Sequence, residues 1–126
     1  MSEKKISVIM STYNEKEIWV KEAVDSILNQ TVNDFEFIII VDKPDNNKII
    51  DLLHEYEMND KRVKVYINNK NLGLVKSLNK AIRLSNGKFI ARMDADDYSY
   101  PQRFEKQLNL LQNNPDVSLC ATGVIP

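Results

Sequence analysis

The stretch "FEFIIIVD", residues 35–42, decides how the rest of the chain folds. Residues 35–41 are short, aromatic and β-branched, and polar turn residues bound them, so they read as a strand. The apolar run within them, "FIIIV", is far too short to cross a bilayer. Upstream, "ISVIM" (residues 6–10) has the same character. Between the two, "KEIWVKEAVDSILNQ" sets Val20, Ala23, Val24, Ile27 and Leu28 at helical spacing. Together they make one β-α-β unit.

The same alternation continues downstream with different residues. Ile49, Ile50, Leu53 and Tyr56 predict one face of a second helix, "VKVYI" a third strand, and Leu74, Leu78, Ala81 and Ile82 one face of a third helix. Asn86 and Gly87 read as a helix stop, "KFIARM" as a fourth strand, and Phe104, Leu108 and Leu111 as the face of a last helix that Pro115 breaks. "VSLCAT", residues 117–122, reads as a fifth strand. Strands joined by helices imply an α/β fold with a mainly parallel sheet and flanking helices, because parallel neighbours need crossovers of this length. No repeat or linker divides the chain, so residues 1–126 are expected to form one domain. A core strand near residue 122 with nothing after it to flank it leads to the further expectation that the domain is truncated at its C-terminus.

Composition narrows the function classes. The 126 residues are 43% hydrophobic and 28% charged, as in a soluble globular domain with one modest core. Seventeen basic against eighteen acidic side chains give a net charge near −1, which offers no single-signed field for nucleic acid or anionic lipid. A single cysteine, Cys120, excludes an internal disulfide and a cysteine-based zinc cluster. The N-terminus "MSEKK" lacks the apolar segment of a secretion signal. A cytoplasmic location is expected, with peripheral attachment at the inner face of the membrane as the alternative.

In open parallel sheets, ligands sit beyond the carboxyl ends of the strands. Those ends carry "STYNE" (residues 11–15), "DKPDN" (42–46), "NNKNLG" (68–73) and "DADD" (94–97), all rich in polar and acidic side chains. If residues 94–96 are extended, Asp94 and Asp96 point to one side and Ala95 away. Two such carboxylates suit a hard cation, Mg2+ or Mn2+, with positions left for phosphate. The alternative is a solvated acidic turn in which Asp97 caps the last helix. Asp42 is an acceptor for a base or ribose donor, or a turn-forming Asp before Lys43 and Pro44. Tyr13 offers a platform and its neighbours polar groups for a nucleotide, while Thr12 or Asn14 could instead cap the first helix, with Glu17 three residues beyond Asn14. Gly73 permits close backbone approach, Asn71 a helix cap, and Lys76 a reach toward phosphate. His54, Trp19 and Cys120 read as a surface residue, packing and a buried thiol. The glycines never pair at the spacing of a phosphate loop, which removes the dinucleotide fingerprint.

In order and spacing, "SVIMSTYNE", "AVDSILNQT", "FEFIIIVD", "NNKNLGLVKSLNKAIRLSNGKFIARMDADD" and "PQRFEKQLNLLQNNPDV" resemble the nucleotide-sugar-binding, N-terminal half of the inverting family 2 glycosyltransferases of GT-A fold. The resemblance runs from about residue 6 to residue 123. It implies that Thr12, Tyr13, Asn14, Glu15 and Asp42 hold the base and ribose of a nucleoside diphosphate sugar, UDP-linked by expectation. Asn71, Gly73, Lys76, Asp94 and Ala95 complete that contact set, and Asp94 with Asp96 binds Mg2+ or Mn2+ at the diphosphate. Lys43 stands where the family's Asp-Gly-Pro variant has Gly. The resemblance implies inversion, a carbohydrate, lipid-linked or protein acceptor, and a role in polysaccharide synthesis. It places the general base beyond Pro126, so the chain alone is expected to bind donor and transfer little. The rival readings are a haloacid-dehalogenase-type phosphotransferase, whose Asp-x-Asp lies at the first strand, a sugar nucleotidyltransferase, and a nucleotide-binding module without turnover.

Overall fold

A computed structural model describes residues 6–113, with side chains through Leu110. The elements alternate without exception: β1 (Ile6–Thr12), α1 (Glu17–Leu28), β2 (Phe35–Val41), α2 (Asn47–Asn59), β3 (Val63–Ile67), α3 (Leu74–Leu84), β4 (Phe89–Asp94) and α4 (Arg103–Asn113). The four strands form one sheet in the order β3-β2-β1-β4, with every pairing parallel. The α/β expectation is met. The expected fifth strand, with Asp116 and Cys120, lies outside the described residues.

Strand periodicity divides the core between the two faces of the sheet. Val8, Met10, Phe37, Ile39, Val41, Ala91 and Met93 join a cluster with Val20, Val24 and Ile27 of α1, Ile49 and Leu53 of α2, and Phe104 and Leu108 of α4. The alternate residues Ile9, Ile38 and Ile40 meet Ala81 of α3, with Tyr66, Leu78, Leu84 and Ile90 packed around them. β2 is therefore covered on both sides and buried along its whole length, which is why its sequence shows an apolar run instead of alternation.

α3 keeps only part of its expected face. Ala81 is buried and Leu78 packs beside it as expected, but Leu74 and Ile82 are exposed and Ser77 turns inward. The helix also ends earlier than the Asn86-Gly87 stop: Leu84 is its last residue, and the Ser85 hydroxyl donates to Ala81 O at 2.8 Å. Gly87 serves a close approach instead. A Cβ there would lie 2.5 Å from both Ser7 N and Ser7 Oγ and 2.7 Å from Ile6 C. The Gly87 N–H donates to Ser7 Oγ at 2.6 Å, so the segment cannot retreat without losing a bond. Gly87→Ala is expected to cost about 1–3 kcal/mol of stability by overpacking, read as a shift of the urea midpoint at unchanged slope.

At the other end of α1, Gln30 is buried and fully used. Its Nε2 donates to Ser26 O at 3.1 Å and Tyr100 O at 2.7 Å, and its Oε1 accepts the Phe104 N–H at 3.0 Å. This side chain fixes the start of α4, and with it the segment that follows β4. No helix of the described residues is long and apolar enough to cross a membrane.

Candidate functional site

The register aligns the carboxyl ends of the strands: Thr12 pairs with Val41, Val41 with Ile67, and Ser11 with Asp94. The four polar loops therefore gather along one edge of the sheet. Backbone and side-chain bonds then tie neighbouring loops to each other.

Asp42 is the most constrained of these residues. Its carboxylate is buried and accepts the Leu72 N–H (Oδ1, 2.7 Å), the Gly73 N–H (Oδ2, 2.9 Å) and Asn68 Nδ2 (Oδ1, 2.7 Å). Burial works against its charge, but these donors, with the Ser77 hydroxyl, hold the carboxyl below the usual carboxylate range. The Asp thus closes the 68–73 loop against the first turn of α3, where a carboxylate also complements the helix dipole. Gly73 is the N-cap of α3 at φ +91°, a left-handed conformation open to glycine and strained for other residues. The expected Asn71 cap is not formed. Asn71 instead sends Nδ2 toward Asp42 O at 3.5 Å, and exposed Lys76 stands in the first turn of α3.

The loop after β1 is built around Glu15. Its Oε1 accepts Thr12 Oγ1 at 2.7 Å and the Tyr13 N–H at 2.8 Å, which closes the loop on itself and leaves Tyr13 exposed. The expected cap by Thr12 or Asn14 is absent: Lys16 is the N-cap of α1 and makes no side-chain capping bond. Asp42 N–H donates to Thr12 O at 2.8 Å, Asn46 Nδ2 to Tyr13 O at 3.2 Å, and Lys43 Nζ lies 5.4 Å from the centre of the Tyr13 ring. Thr12 to Glu15 and Asp42 to Asn46 form one connected surface. Asn46, which sequence reading gave no role, also caps α2 through Ile49 N–H at 3.5 Å.

"DADD" is a turn and not an extension of β4. The strand ends at Asp94, the Asp97 N–H returns to Asp94 O at 3.1 Å, and the Asp94 N–H donates to Asp97 Oδ2 at 3.3 Å. The premise of an extended segment is therefore corrected. Ala95 is buried while Asp96 is exposed and Asp94 half-buried, so the turn roots itself through Ala95 and leaves both neighbouring carboxylates in reach of solvent. Asp97 does not cap the last helix, which starts only at Arg103. Burial raises the Asp97 carboxyl; the Asp94 N–H opposes this, and the charges of Asp94 and Asp96 add to it.

Arg92 Nη2 lies 3.2 Å from Asp94 Oδ1 as an ion pair, both side chains half-exposed. Arg103 holds the strand end from below, donating to Arg92 O and Ser99 Oγ, each at 2.8 Å. No group of three or more acidic, His or Cys side chains converges as a metal cage among the described residues. Asp94 and Asp96 alone would leave most of a cation's coordination sphere to water or to a ligand's oxygens, which is how Mg2+ is usually held beside phosphates. The donor set fits such an ion.

A parallel sheet with linked polar loops at its carboxyl edge is the arrangement in which open α/β domains hold their ligands. The chain belongs to glycosyl transferase family 2, whose profile matches residues 7–126. It is 46% identical over 119 residues to an uncharacterized glycosyltransferase of Methanocaldococcus jannaschii, covering 94% of this chain and 41% of that protein. To the O-antigen biosynthesis glycosyltransferase WbnJ of Escherichia coli it is 42% identical over 121 residues, covering 94% of this chain and 46% of that protein. Residues 1–349 of TarS from S. aureus, crystallised with UDP-GlcNAc, superpose with a TM-score of 0.77 at 25% identity, over 88% of this chain and 32% of that one. The chain thus spans less than half the length of these relatives, and its fold is that of the GT-A nucleotide-sugar glycosyltransferases.

Proposed function

We propose that this chain is the donor-binding part of an inverting glycosyltransferase that uses a nucleoside diphosphate sugar, with UDP as the nucleotide. The observation that carries this reading is the junction of the Thr12–Glu15 and Asp42–Asn46 loops beside the Asp94–Asp97 turn, in a chain whose family transfers sugars. Tyr13 offers an exposed ring for the base. The Asp42 carboxylate, with one N–H donor from Gly73 on Oδ2, has acceptor capacity beside Asn71 and Gly73 for the nucleoside. Lys76, exposed on the first turn of α3, would reach the diphosphate.

Asp94 and Asp96 would hold Mg2+ or Mn2+, with Ala95 packing the turn that presents them. Such an ion, when bound, stabilises the negative charge that gathers on the diphosphate as it leaves. Transfer breaks the bond from the anomeric carbon to the diphosphate oxygen and forms one to the acceptor oxygen, whose proton passes to a carboxylate base. The acceptor is a hydroxyl of a carbohydrate, lipid-linked or protein substrate, in polysaccharide synthesis at the cytoplasmic side of a membrane. The phosphotransferase alternative loses support, because its carboxylates belong on a first strand and these close the fourth.

Calorimetry tests the donor site directly. UDP is expected to bind the intact protein weakly in chelator and more tightly with Mn2+ or Mg2+. An affinity indifferent to both ions would remove the metal from this reading, and no binding of UDP or GDP under any condition would remove the nucleotide.

A further inference from the structure

We infer that Lys80 is a positioning residue for the nucleoside part of the donor, acting through the Asn68 amide on the Asp42 carboxylate; this rests on the donor-site reading above. Lys80 lies on α3 beside the buried Ala81 and one turn beyond the buried Ser77. Its side chain is half-buried. Its Nζ donates to Asn68 Oδ1 at 2.9 Å. Asn68 is itself buried, and its Nδ2 donates to Asp42 Oδ1 at 2.7 Å and to Ser77 Oγ at 3.0 Å.

The chemistry of the two ends fixes the direction of this chain. An ammonium only donates and a carboxylate only accepts, so the amide between them has a single satisfactory orientation: oxygen toward Lys80, NH2 toward Asp42. Lys80 and Asp42 therefore hold the Asn68 amide from its two ends, in a series of hydrogen bonds that runs from the half-buried Lys80 to the buried Asp42. Without Lys80, the amide still turns its NH2 to the carboxylate, but its oxygen loses its donor and Asn68 is held from one end only. Asp42 then moves, or shares its charge differently among Leu72, Gly73 and the ligand, and the face it offers to the nucleoside is lost. Neither charge nor hydrogen bond needs to reach the phosphates for this effect.

That last point supplies the test. In the intact protein, Lys80→Met, which keeps the aliphatic stem, is expected to weaken uridine and UDP by the same factor, about fivefold. Inorganic pyrophosphate, followed with Mn2+, is expected to bind Lys80→Met as it binds wild type. Lys80→Arg, which keeps the donor, is expected to restore much of the loss, and in an Asp42→Asn background Lys80→Met is expected to add nothing. A merely structural lysine would lower the melting temperature without this ligand pattern. A loss confined to UDP and pyrophosphate would show Lys80 acting on the phosphates by charge, and unchanged uridine affinity in Lys80→Met would show no role; either overturns the inference while the donor site stands. A wild-type protein that binds neither UDP nor uridine overturns the donor-site reading and this inference with it.

Discussion

Glu36→Ala is expected to lower the free energy of unfolding by about 3 kcal/mol, and Lys64→Met by under about 1 kcal/mol. Glu36 sits on β2 at the amino end of the sheet, opposite the ligand loops. Its carboxylate accepts the Ser7 hydroxyl and the Asn86 N–H, and Lys64 Nζ lies 3.0 Å away. The three donors differ in what they would do without it. The Lys64 side chain is 43% exposed and returns to water, whereas the Glu36 side chain is 2% exposed and the Asn86 N–H would lose its acceptor in a crowded turn. Ser7 also receives the Gly87 N–H, so the same carboxylate steadies the close approach of residues 86–87 to β1. Urea unfolding of the two variants separates the contributions. Equal losses would mean that the half-exposed ion pair, and not the buried hydrogen bonds, stabilises this end of the sheet.

The same carboxylate gives the fold an acid limb. Burial works against ionisation of Glu36, but the bonds from Ser7, Asn86 and Lys64 outweigh it and hold its acidity below the ordinary glutamate value. Asp42 is depressed in the same sense at the opposite end of the sheet. A depressed folded value means that the unfolded chain binds the proton more readily. Stability from both groups is therefore complete above the unfolded values, about 4 for each, and is lost as pH falls below them through the folded ones. Glu36→Gln is expected to flatten this decline, measured as unfolding free energy between neutral and acid pH.

These two networks mark where sequence reading stops. The strands, their alternation with helices and the loops at their carboxyl ends were legible because each depends on local period or on turn chemistry. "FEFIIIV" also revealed a strand without alternation, but not that Glu36 would be enclosed. That depends on register: Lys64 stands opposite Ile38, one diagonal from Glu36, and residues 86–87 arrive from a distant part of the chain. Asn68, Ser77 and Lys80 escaped for a similar reason. The 68–73 loop was visible as polar, yet its direction depends on Asp42 closing it against α3, and α3 turned Ser77 inward beside the expected Ala81 while leaving Leu74 and Ile82 exposed. A polar Ser and Lys spaced three apart on a strongly amphipathic helix were the available signal. The capping residues misled because Thr12 and Asn71 were given helix ends to satisfy, when nearby loops claimed them first.

Asp94→Asn and Asp96→Ala are each expected to weaken UDP binding in the presence of Mn2+ by about 100-fold, and to change it little in chelator. Even partners outside a metal's ligand sphere commonly contribute 10- to 100-fold of affinity, so a ligand itself should contribute at least the upper end. Asn has nearly the volume of Asp and can still accept one hydrogen bond, but it lacks the charge that a hard divalent cation needs. Asp94→Asn also removes the ionic partner of Arg92, whose pair with Asp94 is half-exposed and contributes little to stability. The melting temperature should therefore stay near that of wild type while metal-dependent binding falls. Asp97→Asn is the control. Asp97 uses its carboxylate to accept the Asp94 N–H, a bond that an amide oxygen can replace, so Mn2+-dependent affinity should survive that change. A large loss in Asp97→Asn with Asp94→Asn unaffected would move the cation one turn along the chain; equal small losses in all three would leave "DADD" as a structural turn and no more.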